Sequence, residues 1–208
     1  MLVVARKKET KLERTAEWNA LGFRGTCSCG YILETHGNAE QILPDGYDDI
    51  SARTMLPVSH ILWSSLWLGL ATDAVNRARA FVRDAARKKP GTVPSGATRL
   101  AEVVALLQSM RSNVHDSVRA YEAIYNDADA LSGIGFALQM NNLKVQSSLL
   151  VVQVCAQALG VCGIMGYKTD TKYSVERHLR DAYGAGIMIN NDRILGASAS
   201  LLLVHRSE

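Results

Sequence analysis

The sequence predicts a mainly α protein: an up-and-down four-helix bundle with extra C-terminal helices, preceded by a short β-strand segment. Three observations lead there. From about Tyr47 onward, apolar residues recur at steps of three and four over long stretches, the period of helices that bury one stripe. Ahead of Tyr47 the apolar runs are short, β-leaning and separated by turn-rich pieces. One long segment is apolar on most sides, so other helices or another copy of the chain must surround it. With 208 residues, 48% apolar and 21% charged, the chain has room for one good core and an ordinary globular composition.

Taken in order, Leu2 to Arg6, Lys11 to Trp18 and Gly30 to Thr35 read as strands, with Leu21 to Ser28 as an intervening loop. Met55 to Ala71 is strongly apolar but carries Pro57, Ser59, His60, Ser64 and Ser65. Those polar groups suit a buried helix rather than a membrane span. The first long helix buries Trp63, Trp67, Leu70, Ala74, Ala78, Phe81 and Ala85. Asp73, Arg77, Asp84 and Arg87 fall on its wetter side. Pro90, Gly91, Pro94 and Gly96 close it. The second helix, about Thr98 to Asn126, repeats Leu100, Val103, Leu107, Met110, Val114, Val118, Tyr121 and Tyr125, the pattern of an antiparallel bundle. The third, about Leu131 to Leu159, is interrupted only by the polar row Gln139, Asn142, Gln146, Gln153 and Gln157, and Gly160 with Gly163 is expected to stop it. Two shorter helices follow, near Tyr173 to Tyr183 and Ile187 to Val204.

The charge pattern argues against nucleic acid. Net charge is +3, and the one basic run, Arg83 to Lys89, lacks interleaved aromatic residues, so it reads as a solvated helix end whose cations suit the C-terminal dipole. Cys27, Cys29, Cys155 and Cys162 have no zinc spacing and are too few for a disulfide scaffold; no metal is expected, and the thiols read as reduced, cytoplasmic ones. The opening MLVVARKKETK is unlike a secretory signal. The apolar third helix and the Trp63/Trp67 face together predict a dimer or tetramer.

Four stretches in order carry a family resemblance. Trp18 to Thr26 reads WNALGFRGT; Arg87 to Gly91 ends the first long helix; Gln157, Gly160 and Gly163 form a turn; Glu176, Arg177, Arg180, Asp181 and Ala182 form a charged helix. In this order they resemble the acyl-CoA dehydrogenase family, with its W-x-x-L-G-x-R-G-T/S loop, R-K-x-F-G turn, Q-x-x-G-G-x-G-Y turn and R-D-A helix. The resemblance implies that residues 1–46 are the end of a middle β domain and residues 47–208 the C-terminal helical bundle domain. The family's full chain is nearly twice as long, so a fragment, a split-enzyme subunit or a truncated product is expected, with a preceding domain or a partner subunit supplying the rest.

The resemblance further implies FAD as cofactor, a small-molecule substrate, and oxidation of an acyl thioester in which a glutamate takes the α-proton. In most members that glutamate falls at Ile189 of this sequence, and in a minority near Ser59, beside His60; neither is a carboxylate. His60 is the candidate base in its place, or else a buried histidine bonded to a backbone carbonyl or Ser64. Arg87 and Gln157, with Gly160, correspond to residues that reach the FAD of a neighbouring subunit; Asn191 corresponds to a flavin phosphate or ribose contact. The same residues read structurally as a surface arginine, a helix-capping glutamine and, for Asn190 to Asp192, a turn and N-cap. Arg180 and Asp181 read as a charge pair or cap at the helix junction. A flavin-dependent hydroxylase or oxidase of the same fold, and a non-catalytic dimerising subunit, are the alternative functions.

Overall fold

The computed structural model describes residues 1–205. Strand β1 (Thr10–Ala16) pairs antiparallel with β2 (Gly30–Thr35), from Thr10 opposite Thr35 to Ala16 opposite Gly30, with the register slipping between Arg14 and Ala16. The expected strand at Leu2 to Arg6 is reduced to a single bridge from Val3 to Ile42. Gln41 takes over the job of a ladder there: its side-chain amide donates to Val4 O at 2.7 Å and to Glu9 Oε2 at 3.0 Å. The hairpin has no buried side chain of its own; Leu12, Tyr31, Ile32 and Leu33 are all more than half exposed.

Three long helices make the bundle: α1 (Leu56–Lys88), α2 (Ala97–Ile124) and α3 (Ile134–Cys162). A short turn, Tyr47–Ile50, and a π-helical stretch, Ser51–Met55, lead into α1. Pro57 sits in the first turn of α1, where its missing N–H costs nothing. The predicted face of α1 is the observed one from Trp67 through Ala78, and Val75 and Val82 join it; Ala85 is only half-buried. Those residues interlock with Val103, Leu107 and Met110 of α2 and with Val151, Val154, Cys155 and Ala158 of α3. A second cluster, Val114, Met140 and Leu143, fills the other end with Leu56 and Phe136.

Helix α3 is the central member. By length and apolarity it would be able to cross a membrane, yet α1 and α2 pack along it and half of its most apolar window is buried. Its polar row marks the open face: Asn142, Gln146 and Gln153 are exposed. Gly160 does not stop the helix. Termination waits for Gly163, whose φ of 56° and ψ of −140° suit a residue without Cβ, and its N–H donates to Leu159 O at 2.8 Å.

The chain finishes with α4 (Glu176–Tyr183) and α5 (Asn191–Leu202). Helix α5 starts four residues later than its apolar pattern suggested. Ile189 is left-handed (φ 47°), which breaks the helix, and Asn190 caps the new start by accepting from Asp192 N at 2.8 Å. Ile194 and Ser198 of α5 are buried, and the helix packs on α3.

Candidate functional site

The first site lies where the N-terminal part of α1 meets the start of α5. A cavity of about 1020 Å³ there is lined by Leu56, Ser59, His60, Trp63, Ile189 and Arg193, among mostly apolar neighbours that include Leu62, Leu66 and Ile194. Ser59 and Ile189, 130 positions apart in sequence, thus face one space. No carboxylate lines it among the described residues. Ser59 Oγ donates to Leu56 O at 3.2 Å, the bond of a helical serine facing its own turn.

His60 is buried, and its Nδ1 lies 3.1 Å from Met140 O. A carbonyl only accepts, so Nδ1 carries the hydrogen and Nε2 keeps the lone pair. Burial holds the imidazole below its ordinary value; the Met140 bond opposes that and the positive Lys144 adds to it. His60 is therefore a neutral imidazole at the cavity wall.

Behind Ile189 is a residue that the sequence did not single out. Lys144 is fully buried on α3, and its ammonium donates to Ile189 O at 2.6 Å and to Asn191 Oδ1 at 2.7 Å, 5.7 Å from the centre of the Trp67 ring. Asn191 Nδ2 donates in turn to Ser148 Oγ at 2.9 Å, and Ser148 donates to Val145 O at 2.7 Å. Burial lowers Lys144 to about 8. The arrangement is a clamp: one buried cation fixes a left-handed isoleucine and the cap region of α5. A lone lysine inside an apolar helix was the available signal.

The other predicted residues lie at the opposite end of the bundle. Arg87 is 27 residues beyond His60 on α1, about 40 Å at 1.5 Å per residue. Its guanidinium is 79% exposed and pairs with Asp84 at 3.2 Å. Asp84 also accepts from Lys172 Nζ at 2.7 Å and from the Tyr173 hydroxyl at 2.6 Å, and these bonds bring its carboxyl down to about 2. Gln157 stands near the same end, on α3; its Oε1 is buried with no hydrogen-bond partner among the described residues. Gly160, one turn on, is exposed with open space where a Cβ would lie.

Between the ends, the Leu21 to Thr26 loop docks on α4 and walls a cleft of about 650 Å³ with Asp73, Arg177, His178 and Asp181. His178 Nε2 is 2.6 Å from Asp73 Oδ2, and Arg77 Nε is 2.9 Å from the same oxygen. Burial holds His178 below its ordinary value despite the Asp73 contact. Arg180 pairs with Glu176 at 2.9 Å, and Asp181 accepts from Phe23 N at 2.7 Å. The Asp73–His178 pair spans 105 residues, and no local pattern announced it.

The comparisons bear on the family and the fold. Residues 50–189 match the acyl-CoA dehydrogenase, C-terminal domain, family. Among solved structures, KijD3 in complex with FMN and a dTDP-linked amino-keto sugar is 19% identical, with a TM-score of 0.74 over 96% of this chain and 50% of its own. TdsC from Paenibacillus sp. A11-2, in complex with FMN and indole, is 16% identical, with a TM-score of 0.72 over 95% and 53%. The acyl-CoA dehydrogenase of Slackia heliotrinireducens is 16% identical, with a TM-score of 0.70 over 92% and 49%. No curated protein matches the sequence. The chain spans about half the length of the solved structures it matches. By its matched domain and its helical bundle, this chain belongs to the acyl-CoA dehydrogenase family, as a C-terminal portion.

Proposed function

We propose that this chain is the C-terminal half of a flavin-dependent hydroxylase or oxidase that takes a small, largely apolar substrate into the Ser59/Ile189 cavity. The observation that carries the proposal is that both positions where the family places its glutamate base open into one cavity that, among the described residues, has no carboxylate. Oxidation of an acyl thioester needs a group to take the α-proton, whereas hydroxylation does not need that base. When bound, reduced flavin supplies the two electrons with which dioxygen is divided between a new substrate hydroxyl and water.

The residues at the far end suit a flavin. Gln157 Oε1 is a buried acceptor in want of a donor, and the Arg87 guanidinium is an exposed cation of the kind that holds a phosphate through two N–H groups. Gly160 leaves room for close approach. Asn191, near the cavity, keeps one side-chain N–H beyond its bond to Ser148. Because Arg87 and the cavity are about 40 Å apart along α1, they serve two different flavins. A dimer or tetramer, in which Arg87 and Gln157 complete the flavin site of a neighbour, is part of the proposal. FAD, with its pyrophosphate and adenine, is the flavin that uses both.

His60 supports a second reading. Its free Nε2 lone pair at the cavity wall would serve as the base for acyl-thioester oxidation in place of the glutamate. The experiment is to purify the protein, together with whatever completes it, and to record its flavin spectrum. Flavin that, once reduced, is reoxidised by oxygen with product formation from an aromatic substrate supports the hydroxylase reading. Bleaching by an acyl-CoA without oxygen supports the second. A colourless protein that binds neither FAD nor FMN leaves the non-catalytic subunit.

A further inference from the structure

Two cysteines lie outside everything described so far, in the connector between β1 and β2. Cys27 is exposed and Cys29 half-buried, and only Ser28 separates them. Cys29 N donates to Cys27 O at 2.8 Å. Ser28, at the centre, is not among the positive-φ residues, so the turn is an inverse γ-turn. Two Cα–Cα steps of about 3.8 Å folded back by that bond bring the outer Cα atoms into the roughly 4.4–6.8 Å range a disulfide spans. Cys27 is itself left-handed, with φ 47°, a conformation that a side-chain-bearing residue holds only when its surroundings impose it.

The surroundings of the two sulfurs differ. Arg14, on β1, donates from Nη2 to Cys29 Sγ at 2.8 Å and also to the Glu17 carboxylate, so the sulfur faces an N–H of an ion-paired guanidinium. An N–H there accompanies the charge that the sulfur develops as it attacks. The other two thiols of the chain lie in the core. Cys155 and Cys162 are buried in α3, and burial pushes them up to about 12 and about 11.

We propose that Cys27 and Cys29 are a redox modification site that closes to a reversible disulfide when a small hydroperoxide reaches the connector. Cys29 sulfur attacks the terminal peroxide oxygen, the O–O bond breaks, and the departing oxygen leaves as water or alcohol with a proton, giving a sulfenic acid at Cys29. The Cys27 thiol attacks that sulfur, its proton joins the leaving hydroxide as a second water, and the disulfide forms. One peroxide is reduced by two electrons and two thiols are oxidised by two. The ring locks the loop that packs on α4 through Phe23 and Asp181, so the oxidation state is written into one wall of the Asp73–His178 cleft.

The test treats the folded protein with a small excess of hydrogen peroxide, quenches with iodoacetamide, and maps the cysteines by mass spectrometry. Cys27 and Cys29 are expected to escape alkylation, joined within one peptide that has lost two hydrogens, and to return to thiols with dithiothreitol; Cys155 and Cys162 stay reduced. Cys27→Ser is expected to leave Cys29 as a sulfenic acid that dimedone traps. Arg14→Gln is expected to slow disulfide formation several-fold, with an unchanged helical circular dichroism spectrum. Full alkylation of Cys27 and Cys29 after Met1 has been oxidised to its sulfoxide would overturn the proposal, as would disulfides found only between two chains. Dimedone adducts on Cys27 in Cys29→Ser, faster than on Cys29 in Cys27→Ser, would overturn the order of attack.

Discussion

The backbone N–H of Phe23 donates to Asp181 Oδ1 at 2.7 Å, joining two residues 158 positions apart. The contact ties the W-x-x-L-G-x-R-G-T loop to the R-D-A helix, two of the stretches that carry the family resemblance. Around it the backbone is close-fitted. Phe23 is left-handed, its carbonyl accepts from Trp18 Nε1 at 3.0 Å and Thr26 Oγ1 at 2.8 Å, and its ring touches Gly184. Both motifs are thus packing devices that dock the strand-bearing segment on the bundle.

Gly22 is the tightest point of that docking. A Cβ there would lie 2.4 Å from Arg180 O, against backbone that has no rotamer with which to yield. Gly22→Ala is expected to cost about 1–3 kcal/mol by overpacking, read as a lower urea midpoint. Gly25→Ala, in the same loop with open space around it, is expected to leave the midpoint nearly unchanged.

Lys144 makes stability depend on alkaline pH. Its folded value of about 8 lies below the 10.5 of an unfolded lysine, so between those values the unfolded chain binds more protons than the folded one. Stability contributed by this residue therefore rises as pH climbs from about 8 towards 10.5 and is flat below that window. Relative to Lys144→Met, the wild-type chain is expected to gain on the order of 3 kcal/mol across it. Parallel melting curves for the two proteins through that window would refute the assignment.

His60 and His178 make it depend on acid pH, with the same sign: stability rises with pH through their window too. Burial is the largest cause holding each below 6.5, so each takes up its proton later in the folded chain than in the unfolded one. Stability is lost as pH falls through about 6.5 and below. The His60→Gln, His178→Gln double variant is expected to show a shallower loss of melting temperature on acidification than wild type.

Arg87 and Arg83 separate a specific clamp from a basic surface. If flavin binds across a subunit boundary, Arg87→Ala is expected to weaken its binding roughly ten- to a hundredfold, measured by fluorescence titration of the assembled protein. Arg83→Ala, one turn earlier on α1, is expected to leave binding near wild type. Equal losses would point to non-specific attraction.

The long helices were legible because each repeats its period many times: Trp67, Ala71, Ala74 and Ala78 point the same way whatever else the chain does. The polar row of α3 was legible as an interruption of its apolar surface, and Asn142, Gln146 and Gln153 of it are exposed. What escaped are contacts made at a distance. Lys144 reads as a misplaced surface residue until Ile189 and Asn191 are brought over it. The end of α3 moved from Gly160 to Gly163 because an unhindered glycine is tolerated within a helix that neighbours support, and only the second one turns the chain. At the cavity, the sequence placed Ser59 and Ile189 by resemblance, but their shared space exists only once α5 folds back beside α1.

The hairpin of β1 and β2 contributes no buried side chain, and that gives the molecule two clocks. Amide hydrogens in β1 and β2 have at most one layer of hydrogen bonds between them and water, so they exchange through small local openings. Those of Ala74 or Val154 lie in the three-helix core and exchange only when the bundle itself comes apart. A partner that covered the hairpin would reset the fast clock alone, so deuterium uptake at those few amides would report such a partner from within this chain.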